Sequence, residues 1–578
     1  MRIVSVIWYG VMYSLEAGQY WRTMIDDGRN GKTKKALRGN MLDADTIVIG
    51  SGAGGLTAAL ALARAGERVL VLEQHSHPGG LCHSFYRGGY RFSPGVHYIG
   101  QLGPKGSLRR IYEGLGVAGD LAFFEMNPSG FEHIRIGDEV FNLPAGKDAM
   151  VESFTARFPR EARGIKDYLG LLDTVCREMA CIPETKSFID FVTVPFRTWN
   201  MGRYGLYSLD RILSDRISDP LLRALFSIQC GDHGLPPSRI PFVMHAPVAG
   251  HYMDGACYPM GGAGTIPNAL IAGLRKEGGD IRLSAEVEKI LIEKKGGRPS
   301  AIGVRLASGT ELRANRVISN ATPHITYDRL VGREHLSSGL RRKLDRTRYS
   351  TAALTLFLAT DLDLASMGMD SGNYWYVPDR DLESLFARSQ DPDTVNDQCP
   401  GIFFGVTSIK DPSSFHKGRH TIEAVRFIAY EVFSAYESST PGKRPEGYVV
   451  LKDKLTAAML RSLERIIPGI GDHVLFSELG TPLTSDHFVR STRGGCYGTE
   501  KSLWQIGPFS FKQFSEINGL CLCGASILTH GVSGATTSGL ALAAALLKCR
   551  PGELLTETGG VLQIFPAGDK MMFYNSTK

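Results

Sequence analysis

The block from Asp45 to Glu73 constrains this chain more than any other, because strand, glycine turn, helix, strand and acid follow one another without a gap. Thr46-Ile47-Val48-Ile49 is a short, β-branched apolar run, the pattern of a strand buried on both faces of a parallel sheet. It runs into Gly50-Ser51-Gly52-Ala53-Gly54-Gly55, in which Gly50, Gly52 and Gly55 satisfy G-x-G-x-x-G. Leu56 to Ala65 is rich in Ala and Leu and stops at Gly66, as a helix does, and Arg68 to Leu72 is a second buried strand that delivers Glu73. The three glycines act differently. Gly50 permits the tight turn, Gly52 lets backbone approach a pyrophosphate, and Gly55 lets the helix pack on the strand. The helix N-terminus around Ala53 and Gly54 offers free N–H groups to that pyrophosphate. Glu73 is placed to accept hydrogen bonds from ribose hydroxyls and would repel a 2′-phosphate, which disfavours NADP.

After Gln74 comes Gly79-Gly80-Leu81. This second glycine pair resembles the flavoprotein extension of the motif, where backbone passes close to FAD, so FAD is the expected dinucleotide. No second G-x-G-x-x-G seats a nicotinamide cofactor, so the electron donor or acceptor is expected to be external. Near the other end of the chain, Leu520 to Cys523 reads as a strand and Gly524-Ala525-Ser526 as a turn. Gly531 to Ala535 then opens an apolar helix through Leu547. A glycine-rich turn feeding a helix N-terminus suits the flavin ring edge and ribityl chain, which brings Gly524, Gly534 and Ala535 into the same site.

At 578 residues the chain is too long for one core, so at least two lobes are expected. A net charge of +6, with bases interleaved among acids, excludes a nucleic-acid stripe. The ten cysteines are scattered. Cys521 and Cys523 share one face of a buried strand, and no second Cys/His pair completes a metal shell, so no metal is expected and the compartment reads as reducing and cytoplasmic. Ile3 to Leu15 is apolar but too short to span a bilayer, and Val4, Ile7, Trp8, Val11 and Leu15 fall at helical spacing. A basic tract follows (Arg22, Arg29, Lys32, Lys34, Lys35, Arg38), which suits a helix lying on an anionic membrane surface. A bland arm ahead of Met41 fits residues 1–40 equally well.

Further stretches carry a family resemblance. They are Gly95-Val96-His97-Tyr98-Ile99-Gly100, Tyr258-Pro259-Met260-Gly261-Gly262, Gly278 to Ile281, Ala285-Glu286-Val287, Val317 to Ala321, Pro482-Leu483-Thr484 and Arg493 to Gly498. Together with the front motif, from about residue 44 to 549, they resemble the phytoene-desaturase-type flavoproteins, most of all the retinol saturase (all-trans-retinol 13,14-reductase) branch, with carotenoid isomerases as near relatives. The resemblance implies an α/β fold: a Rossmann-like FAD-binding domain assembled from residues 41–100, 251–324 and 491–550, with an inserted α+β substrate lobe from 101–250 and 325–490. Residues 551–578 are then a tail. It also implies that the strand carrying Val287 passes the adenine through its backbone. Related flavoproteins often carry an acid in the last glycine turn, where this chain has Ala525 and Ser526.

The implied activity is FAD-dependent oxidoreduction at carbon–carbon double bonds of an apolar polyene or isoprenoid lipid, in the saturating direction. Desaturation and cis–trans isomerisation are alternatives on the same flavin, and a non-catalytic flavin-containing lipid carrier is a remote one. His97 is the first candidate proton donor, with Tyr98 and Tyr497 in reserve; a structural histidine is an equally good reading of His97. Helical patterns near Leu206 to Ile228 and Leu455 to Ile467, and aromatic runs such as Ser371 to Val377, suit an apolar tunnel over the flavin. No G-x-S-x-G elbow, H-E-x-x-H or Walker loop is present.

Overall fold

A computed structural model describes residues 42–181, 188–394, 400–416, 418–556 and 560–567. The expected surface helix and basic tract in residues 1–40 lie outside the described residues. No helix among the described residues is long and apolar enough to cross a membrane.

The first lobe is built on a parallel sheet. Its strands are β1 (Ala44–Ile49), β2 (Val69–Leu72), β3 (Asp280–Arg282), β4 (Glu311–Ser319) and β5 (Leu520–Leu522), in the spatial order β3-β2-β1-β4-β5. Ile49 lies opposite both Leu72 and Ser319, so the carboxyl ends of the central strands stand side by side, where open α/β sheets bind ligands. An antiparallel pair, Val287–Lys295 and Arg298–Leu306, leads into β4. This is the α/β fold, its sheet assembled from discontinuous segments of chain, that the family resemblance implies.

Helix α1 (Ala53–Arg64) starts three residues before the expected Leu56, because the glycines at 54 and 55 are drawn into its first turn behind the extended residue Gly52. It is buried from Ala53 to Ala63, between the sheet and helix α2 (Gly531–Leu547). The two helices approach closely enough that only glycine fits: a Cβ on Gly539 would lie 2.1 Å from the Gly54 carbonyl oxygen. Backbone cannot retreat as a side chain can, so Gly539→Ala is expected to destabilise the protein by about 1–3 kcal/mol. Denaturant unfolding checks this, and an unchanged midpoint would contradict it.

The second lobe carries a seven-stranded sheet. Its spatial order is Val474–Gly480, Ala352–Thr360, His420–Ile428, Ile402–Val406, Asn373–Val377, Glu132–Ile136, Glu139–Leu143. Pairing is antiparallel except between Asn373–Val377 and Glu132–Ile136, which joins the two inserted stretches of chain. Period-two alternation gives the sheet two apolar faces. Leu354, Leu356, Phe404 and Ile422 pack beneath the helix Glu446–Glu464, while Phe403, Val425 and Phe427 face the helices Ala162–Ala180 and Phe242–His251.

The pattern from Leu206 to Ile228 is not one helix. Pro220 at a first helical position and Asp219 as its cap, whose Oδ1 accepts from the Leu221 and Leu222 N–H groups, divide it into Leu209–Ser214 and Pro220–Ser227. Helix Glu446–Glu464 starts earlier than the expected Leu455. Within the expected tail, Gln563–Phe565 adds a parallel strand to Ala122–Glu125.

Candidate active site

The carboxyl ends of β1, β2 and β4 open onto a cavity of about 290 Å³. Gly50, Gly52, Ala53 and Gly54 line it from the first turn, Glu73, Gln74, Gly79, Gly80 and Leu81 from the stretch after β2, and Val287 and Ala535 from the later segments. Gly50 has φ +91°, the left-handed turn expected of it. Three further expected residues stand behind the wall and shape it. A Cβ on Gly55 would meet the Gly50 carbonyl oxygen at 2.3 Å, one on Gly524 the Asn320 amide oxygen at 2.5 Å, and one on Gly534 the Thr529 backbone oxygen at 2.7 Å. Gly524 thereby allows close approach of the chain, and its φ of +95° excludes a side chain on separate grounds.

Glu73 is held in one orientation. Its Oε2 accepts from the Ser51 N–H at 2.9 Å and the Ser51 hydroxyl at 2.7 Å, and its Oε1 from the His75 N–H at 2.8 Å. Ser51 also accepts from the Gly79 N–H at 3.0 Å, so one serine ties both glycine turns to the acid. Gln74 donates from Nε2 to the Phe488 carbonyl at 2.6 Å.

Sequence reading missed Asn320 as a site residue. Its side-chain amide fills the space that Cβ atoms on Gly52, Gly54 and Gly524 would need, so it wedges between two glycine turns drawn from opposite ends of the chain. A polar residue at the carboxyl end of an apolar parallel strand is the signal that marks it. Beside Val287, Glu286 accepts from Arg329 at 2.9 Å and Arg490 at 2.8 Å, and all three line the cavity. A glycine wall at a helix N-terminus, an oriented acid at the ribose position and a second helix N-terminus at Gly531 together fit FAD.

A second cavity, of about 170 Å³, shares Leu81, Gly95, Ser491, Gly495, Cys496 and Tyr497 with the first. Its wall includes one face of the seven-stranded sheet: Ala353 opposite Phe427, Thr355 opposite Val425, Phe403 opposite Val425, and Trp375 opposite Phe403. His97, Tyr98 and Tyr497 all line it. His97 Nδ1 lies 3.3 Å from the carboxylate of Glu423, a wholly buried residue, and the His97 carbonyl accepts from Lys410 Nζ at 3.0 Å. The Tyr497 hydroxyl donates to the Gly231 carbonyl at 3.0 Å, and Tyr98 stacks on Tyr252 at 4.0 Å.

Two acids that sequence reading passed over meet at Tyr98. Its hydroxyl lies 2.7 Å from Glu132 Oε1 and 2.7 Å from Asp232 Oδ2. Burial, reinforced by the Asp232 charge, pushes Glu132 up to about 8, and burial pushes Asp232 up to about 7. The folded protein therefore holds a proton that the unfolded chain has released, and stability falls as pH rises from the ordinary carboxylate range towards about 8. Glu132→Gln removes one acid and is expected to flatten that decline; thermal melts across the range check it, and equal slopes in the two proteins would contradict it.

These arrangements agree with what the chain is similar to. The family model for flavin containing amine oxidoreductase matches residues 53–547. The chain belongs to this family, and FAD is its cofactor. The human all-trans-retinol 13,14-reductase is 30% identical over 550 residues, covering 90% of this chain and 89% of the relative. The Arabidopsis thaliana chloroplastic prolycopene isomerase is 27% identical over 510 residues, covering 85% and 81%. Among solved structures, an oxidoreductase from Methanosarcina mazei has the same fold, with a TM-score of 0.56 at 18% identity, covering 86% of this chain and 99% of that one.

Proposed function

We propose that this FAD-dependent oxidoreductase saturates a carbon–carbon double bond of an apolar polyene, of the retinoid or carotenoid class. The observation that carries this reading is the aromatic-lined cavity sharing a wall with the cofactor cavity through Leu81, Gly95, Gly495, Cys496 and Tyr497. An apolar chain held there needs few polar contacts for binding and lies next to the redox site, as a hydride transfer requires. Bound FAD supplies the two-electron chemistry, while the chain's residues orient the alkene, exclude water and manage the proton. The names of the relatives, a retinol reductase and a prolycopene isomerase, both concern polyene double bonds.

Product analysis tests the direction. Reduced holoenzyme incubated with retinol and with carotenes is expected to yield dihydro products. Cis–trans isomers without a mass change would favour the isomerase reading, and dehydrogenated products from the oxidised enzyme a desaturase. Electrons are proposed to come from an external reductant, because the sequence has one dinucleotide fingerprint. Peripheral contact with an anionic membrane through residues 1–40 is a further proposal, resting on their apolar and basic pattern. Deleting those residues is expected to leave FAD content unchanged and to lower sedimentation with phosphatidylserine vesicles; unchanged sedimentation would discard it.

A further inference from the structure

The hydroxyl of Tyr98 has one proton to donate, yet it stands 2.7 Å from each of two carboxyl oxygens. Only one of those contacts is a tyrosine O–H donated to a carboxylate. In the other, a carboxyl group must donate to the tyrosine oxygen. The geometry thus requires one proton shared between Glu132 and Asp232, and two ionised carboxylates would leave an acceptor facing an acceptor. Glu132 adds an independent sign: it is fully buried, and its Oε2, faced by the side chains of Trp375 and Gln229, makes no hydrogen bond of ordinary geometry. A charged carboxylate so placed is costly, and a protonated one is tolerated.

The two acids differ in position. Glu132 sits on the inner sheet strand Glu132–Ile136, sealed behind Tyr98. Asp232 ends the short turn after helix Pro220–Ser227 and lines the apolar cavity beside Gly231, Tyr98 and Tyr497. We propose that Asp232 is the acid that protonates the alkene in this cavity, and that Glu132, acting through Tyr98, supplies and holds the proton. This deepens the saturase reading and rests on it. With reduced FAD bound, the alkene would take a hydride from it at one carbon and the proton of Asp232 at the neighbouring carbon. Two C–H bonds form, the π bond is lost, FAD is left oxidised and Asp232 is left as a carboxylate. The shared proton reaches Asp232 from Glu132 through Tyr98 before the transfer, so both acids are ionised after it; a proton from solvent then restores the pair, and an external reductant, dithionite in the test below, restores the flavin.

The titratable groups facing this pair do not replace it. Tyr252 is stacked on Tyr98, and Tyr497 lies across the Gly231 carbonyl; burial keeps both phenols neutral at physiological pH. His530, beside the Asp232 backbone, is pushed down to about 3 by burial, and His233 next to it is pushed down likewise. His133, on the same strand as Glu132, pairs instead with Asp370 at 2.9 Å. His97 stands against Glu423 on the cavity wall and is the competing donor.

Two experiments decide the matter. In single turnovers of dithionite-reduced holoenzyme with retinol, Asp232→Asn is expected to keep its flavin and its reduction by dithionite but slow reoxidation about 100-fold or more. The wild-type rate should fall as pH rises past about 7–8, and that limb should vanish in D232N. Glu132→Gln, which removes the proton supply, should slow reoxidation less than D232N does and move the limb down by about one unit, because Asp232 alone then holds the proton. Full activity and an unchanged pH profile in D232N, with loss in His97→Gln, would overturn the assignment. Infrared spectroscopy needs no turnover. A protonated-carboxyl carbonyl band is expected near neutral pH, lost above about pH 8 and absent from the E132Q/D232N double variant. A band unchanged in the double variant, or none in the wild type, would overturn the shared proton. If the wild type fails to reoxidise with every polyene, the saturase reading falls, and the infrared result still decides the pair.

Discussion

Gly52→Val purifies colourless. Gly52 caps helix α1 with extended backbone, and its Cα faces the cofactor cavity where the turn passes closest to Gly80, whose own Cβ position lies 3.5 Å from it. A single Cβ at Gly52 already falls 2.6 Å from the Asn320 amide nitrogen. An alanine could displace that amide, since it is the end of a side chain. The two methyls of valine would in addition occupy the approach to the helix N-terminus, where a pyrophosphate must reach free N–H groups. The expected flavin content is below about a tenth of wild type, because loss of the phosphate contacts and a steric block act together. Absorbance of the purified protein near the flavin bands reads this directly, and full flavin occupancy would sink the assignment of the front turn. The φ of −62° at Gly52 permits valine without backbone strain, so a folded, flavin-free protein is the expected outcome.

Ala353→Trp separates the two cavities. Ala353 is on the cavity face of the strand Ala352–Thr360, opposite Phe427, and lines the apolar cavity but not the cofactor cavity. The ladder hydrogen bonds of that strand do not depend on the side chain, and an indole on this face fills space that an apolar substrate requires. Flavin content and bleaching by dithionite should match the wild type, while reoxidation by a polyene falls by about 100-fold or more, the penalty for misplacing a substrate. Unimpaired reoxidation in this variant would move the substrate to another site.

Much of the cofactor cavity was legible because its elements are local. Strand, turn, helix and acid lie between Ala44 and Glu73, and each glycine there has a reason visible in a few residues of sequence. The far end was legible through a glycine turn before an apolar helix, although Gly524 and Gly534 turned out to shape the wall, with Ala535 lining it. The substrate lobe was not legible to the same degree. Its sheet pairs Glu132–Ile136 with Asn373–Val377, strands more than two hundred residues apart, and no local pattern encodes such a pairing. Strands apolar on both faces also hide which face lines a cavity.

The proton-handling groups follow the same rule. His97 was the favoured donor from its position in a motif, and it does reach the cavity, held near Glu423. Tyr98 was a reserve, and it proves to join Glu132 and Asp232, acids a hundred residues apart in runs that carry no site motif. A lone acid in such a run is informative only once its partner is known, and the fold supplies that partner.

The most direct test of the central claim, that one FAD site serves an adjoining polyene cavity, is anaerobic reoxidation of the flavin. Holoenzyme reduced by one equivalent of dithionite and mixed with retinol or a carotene should regain the oxidised flavin spectrum, with one dihydro product formed per flavin. A flavin that bleaches normally but stays reduced with every polyene, with no change in the polyene, would contradict the account.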